Sequence, residues 1–194
     1  MTATSTPFGF SPIKNGINAR GVGLEQYTIA SAYASNIFSN DPVKNAGDGT
    51  MAAAGNTDHM FGMFQGCEYT TSDNYYRIRA MWTASQALFS GTSCLAYIIR
   101  DPFMEYQVQA SGSLAITSVG FGADMVLGAG NTTSGFSNSQ LNTALGSGTT
   151  SKGFRITGLY GAVNNAWGDS FTIVKVVMNN MSGFLPMGNV TSWV

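Results

Sequence analysis

The sequence predicts an all-β fold, an antiparallel β-sandwich or barrel that includes the jelly roll among its possible topologies. Three observations predict it. Several segments alternate apolar and polar residues with the period of two that is typical of strands. Roughly eight to ten such short segments are separated by turns rich in Gly, Asn, Asp and Ser. Long amphipathic helices, which a βαβ fold would require, are absent from the pattern.

The chain begins with a segment that we interpret as an extended N-terminal arm over residues 1–24, ahead of a single β-rich domain over 25–194. The arm is rich in Gly and small polar residues and has no regular period. Two interpretations stay open for it: packing on its own subunit, or docking on a neighbouring molecule. Both would use its apolar side chains, which are Phe8, Phe10, Ile13 and Ile17.

The first half of the domain reads as short strands joined by turns. Residues 27–30 and 36–38 are predicted strands, and Asp48 with Gly49 predicts a hairpin turn. Residues 60–66 form an apolar run interrupted by glycines, which in strands mark bulges or close backbone approach. Residues 75–82 alternate, which predicts a half-buried strand with Arg77 and Arg79 on its outer face.

The second half continues the β pattern, with one exception. In residues 104–110, Met104, Tyr106 and Val108 share one face, which predicts a strand. Residues 95–100, 121–127 and 154–160 are further predicted strands, and 171–178 is apolar on both faces, as a central strand is. The exception is 139–145, where a helix is predicted between caps at Asn138 and Gly146.

The composition excludes several classes of protein. Charged residues are 10% of the 194, the net charge is −1 and hydrophobic residues are 44%, whereas average soluble domains carry about 25% charged residues. Disorder, membrane spanning and phosphate-neutralising nucleic-acid binding are therefore not expected. Residues 1–10 lack the pattern of a secretory signal. Cys67 and Cys94 are expected to be reduced and buried.

Residues that carry chemistry are sparse, so we expect no enzyme, no cofactor and no metal site. The one histidine, His59, lies in a predicted loop beside Asp58, which is expected to be a turn residue. Asp101 precedes a proline and is also expected in a turn, apart from Glu105. No complete dinucleotide, phosphate-loop or nucleophile-elbow motif is present.

Several motifs, taken in order, resemble those of a known family. They are PFGF at 7–10, SNDPVK at 39–44 with Gly47 and Gly49 downstream, FGMFQGCEY at 61–69, IRDPFMEYQVQ at 99–109, FRITGL at 154–159 and the strand-like 174–180. In order and spacing the chain resembles the capsid decoration, or cement, proteins of tailed phages. The low charge and the glycine-rich arm depart from the usual pattern of that family.

The resemblance implies a viral structural protein without catalytic residues. Such a protein is made in the host cytoplasm, forms homo-oligomers, by analogy trimers, and binds the outer surface of the head, where it stabilises the lattice of the major capsid protein. The alternative is a tail or fibre component or a carbohydrate-binding β module, for which the Asn-rich loop 128–153 is suited. The predicted contact residues are Pro7, Phe8, Phe10, Ile13, Arg77, Arg79 and Trp193.

Overall fold

The computed structural model describes residues 4–15, 23–146, 152–179 and 181, and the all-β prediction is confirmed. One 3-10 turn, Ile116–Ser118, interrupts the described strands. The strands are β1 Ser11–Asn15, β2 Leu24–Ile29, β3 Ile37–Phe38, β4 Pro42–Asn45, β5 Met51–Ala53, β6 Gly62–Thr70, β7 Tyr76–Arg79, β8 Met81–Trp82, β9 Cys94–Ile99, β10 Met104–Gln109, β11 Gly122–Ala123, β12 Met125–Val126, β13 Gln140–Leu141, β14 Phe154–Leu159 and β15 Ile173–Met178.

The first sheet has the order β1-β10-β15-β14-β11, with every neighbouring pair antiparallel. Strand β15 lies between β10 and β14, so the central position predicted for it is confirmed. The alternation predicted for β10 is also confirmed, because Met104, Tyr106 and Val108 are buried while Glu105 and Gln107 are only half-buried. One face of this sheet therefore packs against the core.

The second sheet has the order β2-β9-β6-β4-β5, with β7 paired to the C-terminal half of β6. It curls until its first and last strands approach each other through a bridge between Thr28 and Thr50. The hairpin predicted at Asp48 and Gly49 is confirmed as the β4–β5 connection, where Gly49 has a φ of +88°. Two short ribbons, β3-β8 and β12-β13, complete the described fold.

Two hydrophobic cores lie on opposite sides of the second sheet. Adjacent residues of a strand point to opposite faces, and accordingly Met63 belongs to one core and Phe64 to the other. The first core lies between the two sheets and contains Tyr106 and Phe154, and the second surrounds Trp82. All five side chains are fully buried, and each such burial contributes about 1.5–3 kcal/mol.

The glycine-interrupted run at the start of β6 behaves as the sequence predicts. The register between β6 and β9 shifts between Phe64 and Gly66, which marks a bulge, and Gly66 has a φ of +154°. A Cβ at Gly66 would lie 2.9 Å from the carbonyl oxygen of Arg79. At Gly62 a Cβ would lie 2.5 Å from the carbonyl oxygen of Ile99. The glycines thus allow neighbouring backbones to approach β6 closely.

The helix predicted over 139–145 is wrong. Residues Gln140–Leu141 form β13, which pairs with β12. Ser139 and Leu141 are both buried while Gln140 between them is not, so tertiary burial with period two overrides the local helical preference. Asn142 then ends the strand, since its Oδ1 accepts a hydrogen bond from the Ala144 N–H at 2.9 Å.

Residues 4–15 of the predicted arm pack on their own chain. Strand β1 pairs with β10, and the ring of Phe10 stacks on that of Phe154 with centroids 4.1 Å apart. The Thr6 N–H donates to Gln109 Oε1 at 3.0 Å. For these residues the structure agrees with the first interpretation, in which the segment packs on its own subunit. Residues 16–22 lie outside the described part, and the boundary at residue 24 stays a prediction.

A buried polar junction centred on Asp41 ties the N-terminal segment to both halves of the chain. The Asp41 carboxylate accepts hydrogen bonds from the hydroxyls of Ser137 and Ser139 and from the Phe38 N–H. Its neighbour Asn40 accepts from the Phe10 N–H through its carbonyl oxygen at 3.0 Å. Burial raises the pKa of the Asp41 carboxyl, against the lowering effect of these hydrogen bonds.

Candidate functional site

The most exposed strand in the described structure is β7, Tyr76–Arg79, and all four of its residues are open to solvent. It pairs with β6 in an antiparallel register that sets Arg79 opposite Cys67 and Arg77 opposite Tyr69. Ile78 is 72% exposed, although isoleucine is among the residues most often found buried. An exposed strand of this composition is a candidate surface for contact with another molecule.

The orientation that the sequence predicts for this segment is wrong. Arg77 and Arg79 were expected on an outer face, yet they lie opposite Tyr69 and Cys67, whose side chains point into the second core. Tyr76 and Ile78 are instead on the face of Thr70 and Glu68. The cause is that β7 extends past the margin of the second core, so even its core-side positions are exposed.

The turn that leads into β7 is held by local hydrogen bonds. Thr71 Oγ1 accepts from the Tyr75 N–H at 3.2 Å, and the Thr71 N–H donates to the Tyr75 carbonyl at 2.9 Å. Asn74 has a φ of +63°, which asparagine tolerates better than most residues. These contacts fix the register in which β7 leaves the turn.

One edge of β7 is open. In an antiparallel ladder, alternate residues direct both backbone groups to the same partner. Thr71 is bonded to Tyr75, while the carbonyl of Thr70 faces the other way and accepts from the Phe89 N–H at 2.9 Å. By alternation Arg77 and Arg79 bond to β6, and the N–H and C=O groups of Tyr76 and Ile78 point outward. Within the described residues no strand pairs with that side.

The two arginines give this edge a positive face. The Arg77 guanidinium lies over the ring of Tyr75, 5.8 Å from its centroid. The salt bridges of the described residues join Lys44 to Asp58, Arg100 to Glu25 and Lys152 to Asp124, so neither Arg77 nor Arg79 takes part in one of them. Their charges therefore face solvent without a carboxylate from the described chain.

The opposite face of the same strands carries a tyrosine–carboxylate cluster. Glu68 Oε2 accepts a hydrogen bond from the Tyr76 hydroxyl at 2.6 Å, and Tyr97 of β9 is a second polar neighbour of this carboxylate. The hydrogen bond from Tyr76 has the largest effect and the interaction with Tyr97 the next largest, and both hold the pKa of Glu68 below its ordinary value. The same interactions raise the pKa of both tyrosines. The cluster combines aromatic faces with an ionised acceptor on an open sheet surface.

Residues with catalytic potential lie where the sequence predicts. His59 is exposed, and Asp58 accepts from the Gly55 N–H at 2.6 Å, so its role in a turn is confirmed. Asp101 likewise accepts from the Phe103 N–H at 2.8 Å. No group of three His, Cys, Asp or Glu side chains that could hold a metal ion occurs among the described residues.

The two cysteines are buried and form no disulfide, as predicted. Two effects raise the pKa of the Cys94 thiol: a hydrogen bond with Cys67, which is the larger, and burial. The fraction of reactive thiolate at this residue is therefore small.

Six of the seven predicted contact residues lie in the part of the chain that the structure describes, and they fall on two separate segments. Arg77 and Arg79 share the positive face of β7, whereas Pro7, Phe8 and Ile13 are half-buried along the N-terminal segment. Phe10 is a core residue and offers no surface to a partner, which corrects its place among the candidates. Trp193 lies outside the described residues. Sequence reasoning missed Tyr76, Ile78 and Glu68, because alternation alone does not reveal that a strand overhangs its core.

Comparisons with family models, curated proteins and solved structures found no match to this chain. Among the described residues, no helix is long and apolar enough to cross a membrane.

Proposed function

We propose that this chain is a viral structural protein, a capsid decoration protein that binds the outer surface of a phage head and stabilises the lattice of the major capsid protein. The observation that carries the proposal is the open edge of β7, with exposed Tyr76 and Ile78 on one face and Arg77 and Arg79 on the other. The ordered resemblance of the sequence motifs to decoration proteins supplies the identity of the partner.

The rest of the fold suits a protein whose role is to be rigid and to bind. The described residues form two hydrophobic cores. Strand β9 is flanked by β2, and β6 is flanked by β4 and β7. Charged residues are only 10% of the chain, and a surface of Ser, Thr, Asn and Gly is desolvated at lower cost than one of Lys and Glu. Homotrimers around a symmetry axis of the head would add avidity, because each bound copy raises the effective concentration of the others.

The experiment is co-sedimentation of the purified chain with phage heads that lack a decoration protein. We expect the chain to pellet with the heads in a saturable manner and to remain in the supernatant without them. The variant Arg77→Glu with Arg79→Glu should pellet less well, and Arg155→Glu serves as its charge control because Arg155 is exposed on β14 of the other sheet. Failure of the wild-type chain to pellet at any head concentration would refute the proposal.

A second candidate function, carbohydrate binding in a tail or fibre, is favoured by the cluster of Tyr76, Glu68 and Tyr97. Aromatic rings that flank a carboxylate suit stacking against a sugar and hydrogen bonding to its hydroxyls. Labelling the protein in virions distinguishes the two functions, because a position on the tail supports this candidate and a position on the head supports the first. Tyr97→Ala should abolish binding to a glycan array under the second function only.

A further inference from the structure

We infer that the open edge of β7 accepts an extended segment of the shell protein as an added antiparallel strand, with carboxylates at alternate positions and apolar side chains between them. This inference rests on the proposed function for the source of the segment. Its chemistry rests on the geometry of β7. Addition of a strand to a sheet edge uses backbone hydrogen bonds for affinity and alternate side chains for specificity.

The backbone groups available for such a strand belong to Tyr76 and Ile78. Their N–H and C=O groups point away from β6, and they are 61% and 72% exposed. An incoming residue opposite either of them forms a hydrogen-bonded pair, with its side chain on the same face. That face also carries Glu68, so a carboxylate would be repelled there and an apolar side chain would pack against Tyr76 and Ile78.

The intervening positions of the incoming strand meet the arginines. An incoming residue opposite Arg77 or Arg79 forms a non-hydrogen-bonded pair, in which side chains are closest. Neither guanidinium takes part in a salt bridge among the described residues. Aspartate or glutamate at these positions would therefore meet an unneutralised charge at each step. The result is a strand that alternates acidic and apolar residues.

The same geometry disfavours a second copy of this chain as the occupant. Pairing of two β7 strands through Tyr76 and Ile78 would place residues of the same face opposite each other. The arginine face of one copy would then meet the arginine face of the other, and like charges directly opposite are destabilising. Arginines on an open edge thus protect it against self-association while leaving it available to an acidic strand.

The test combines a backbone variant with a charge variant. Ile78→Pro removes an N–H that points to the open edge, where proline is tolerated, and leaves the bonds to β6 in place. Its matched control is Ile116→Pro, because Ile116 is 66% exposed and begins a 3-10 turn after Ala115, whose backbone is extended. The charge variant is Arg77→Glu with Arg79→Glu, and its control is Arg155→Glu.

The probes are two labelled eight-residue peptides, one alternating glutamate and valine and the other alternating lysine and valine, titrated by fluorescence anisotropy. We expect the wild type to prefer the glutamate peptide by about tenfold, the effect of two exposed ion pairs. The charge variant should reverse that preference, and Ile78→Pro should abolish binding of both peptides, while both controls behave as wild type. Equal binding of the two peptides by the wild type, or unchanged binding by Ile78→Pro, would overturn the inference.

The same variants are then sedimented with undecorated heads, which separates this inference from the proposed function. If Ile78→Pro pellets as well as Ile116→Pro, the added strand is refuted and the decoration function stands. If the wild type binds the glutamate peptide through β7 but does not pellet with heads, the decoration function is refuted and the strand-binding edge stands. Circular dichroism melting curves confirm that each variant is folded.

Discussion

The placement of Phe10 in the core makes a quantitative prediction about the N-terminal segment. Its ring is fully buried and stacks on Phe154 with an interplanar angle of 11°. Truncation of a buried phenylalanine to alanine costs about 3–5 kcal/mol of the free energy of unfolding. In a chain of this length each kcal/mol lowers Tm by about 2–4 °C, so Phe10→Ala should melt about 6–20 °C below the wild type.

The assay is urea denaturation and thermal melting followed by circular dichroism, with Phe103→Ala as the control. Phe103 is exposed, so its truncation should change the free energy of unfolding by less than about 0.5 kcal/mol. A double-mutant cycle of Phe10→Ala and Phe154→Ala should give a coupling of about 0.5–1.5 kcal/mol. If Phe10→Ala costs less than about 1 kcal/mol, the N-terminal segment is not an integral part of the core.

Four further outcomes are expected. The pKa of Asp41 is raised in the fold, so the stability that its protonated form contributes is greatest below the unfolded pKa near 3.8 and is lost as pH rises through the folded pKa. The free energy of unfolding of the wild type, minus that of Asp41→Asn, should therefore fall as pH rises through this range. A difference that does not change with pH would contradict this prediction. Gly66→Ala should cost about 1–3 kcal/mol in urea denaturation, whereas Gly161→Ala, whose Cβ meets nothing within 4 Å, should be neutral or stabilising; equal effects would refute the bulge argument. Cys67 and Cys94 should resist a thiol reagent at pH 8 in the native protein and react fully in denaturant, and rapid native labelling would contradict their burial. Because the surface has few charges, attachment to heads should survive about 1 M salt with only partial weakening, and complete release would assign the binding to charges instead.

The presence and approximate position of the longer strands can be predicted from the sequence. The alternation around Tyr106 identified β10 together with its buried face, and the apolar stretch containing Val174 and Val176 identified the central strand. In β10 the alternation is visible in the sequence itself, whereas the central strand is visible as a continuous run that is apolar on both faces. Asp48 and Gly49 located a hairpin for the same reason, since turn geometry depends on neighbouring residues.

Features that depend on distant contacts could not be predicted. The segment around Leu141 reads locally as a helix, but its pairing with β12 and its burial in the first core decide otherwise. The sequence identifies Arg77 and Arg79 as candidates but predicts the wrong face for them, because the position of β7 relative to the core margin follows from its register with β6. The contact between the Glu68 carboxylate and two tyrosines joins three strands and leaves no local signal in the sequence.

We propose that the chain binds the outside of a phage head, with β7 as a contact. The most direct measurement is an electron cryomicroscopy map of undecorated heads incubated with the wild-type protein. We expect new density on the outer surface of the shell, with Tyr76 and Ile78 facing a capsid segment that continues the sheet. Heads without added density, or density in which β7 faces solvent, would contradict it.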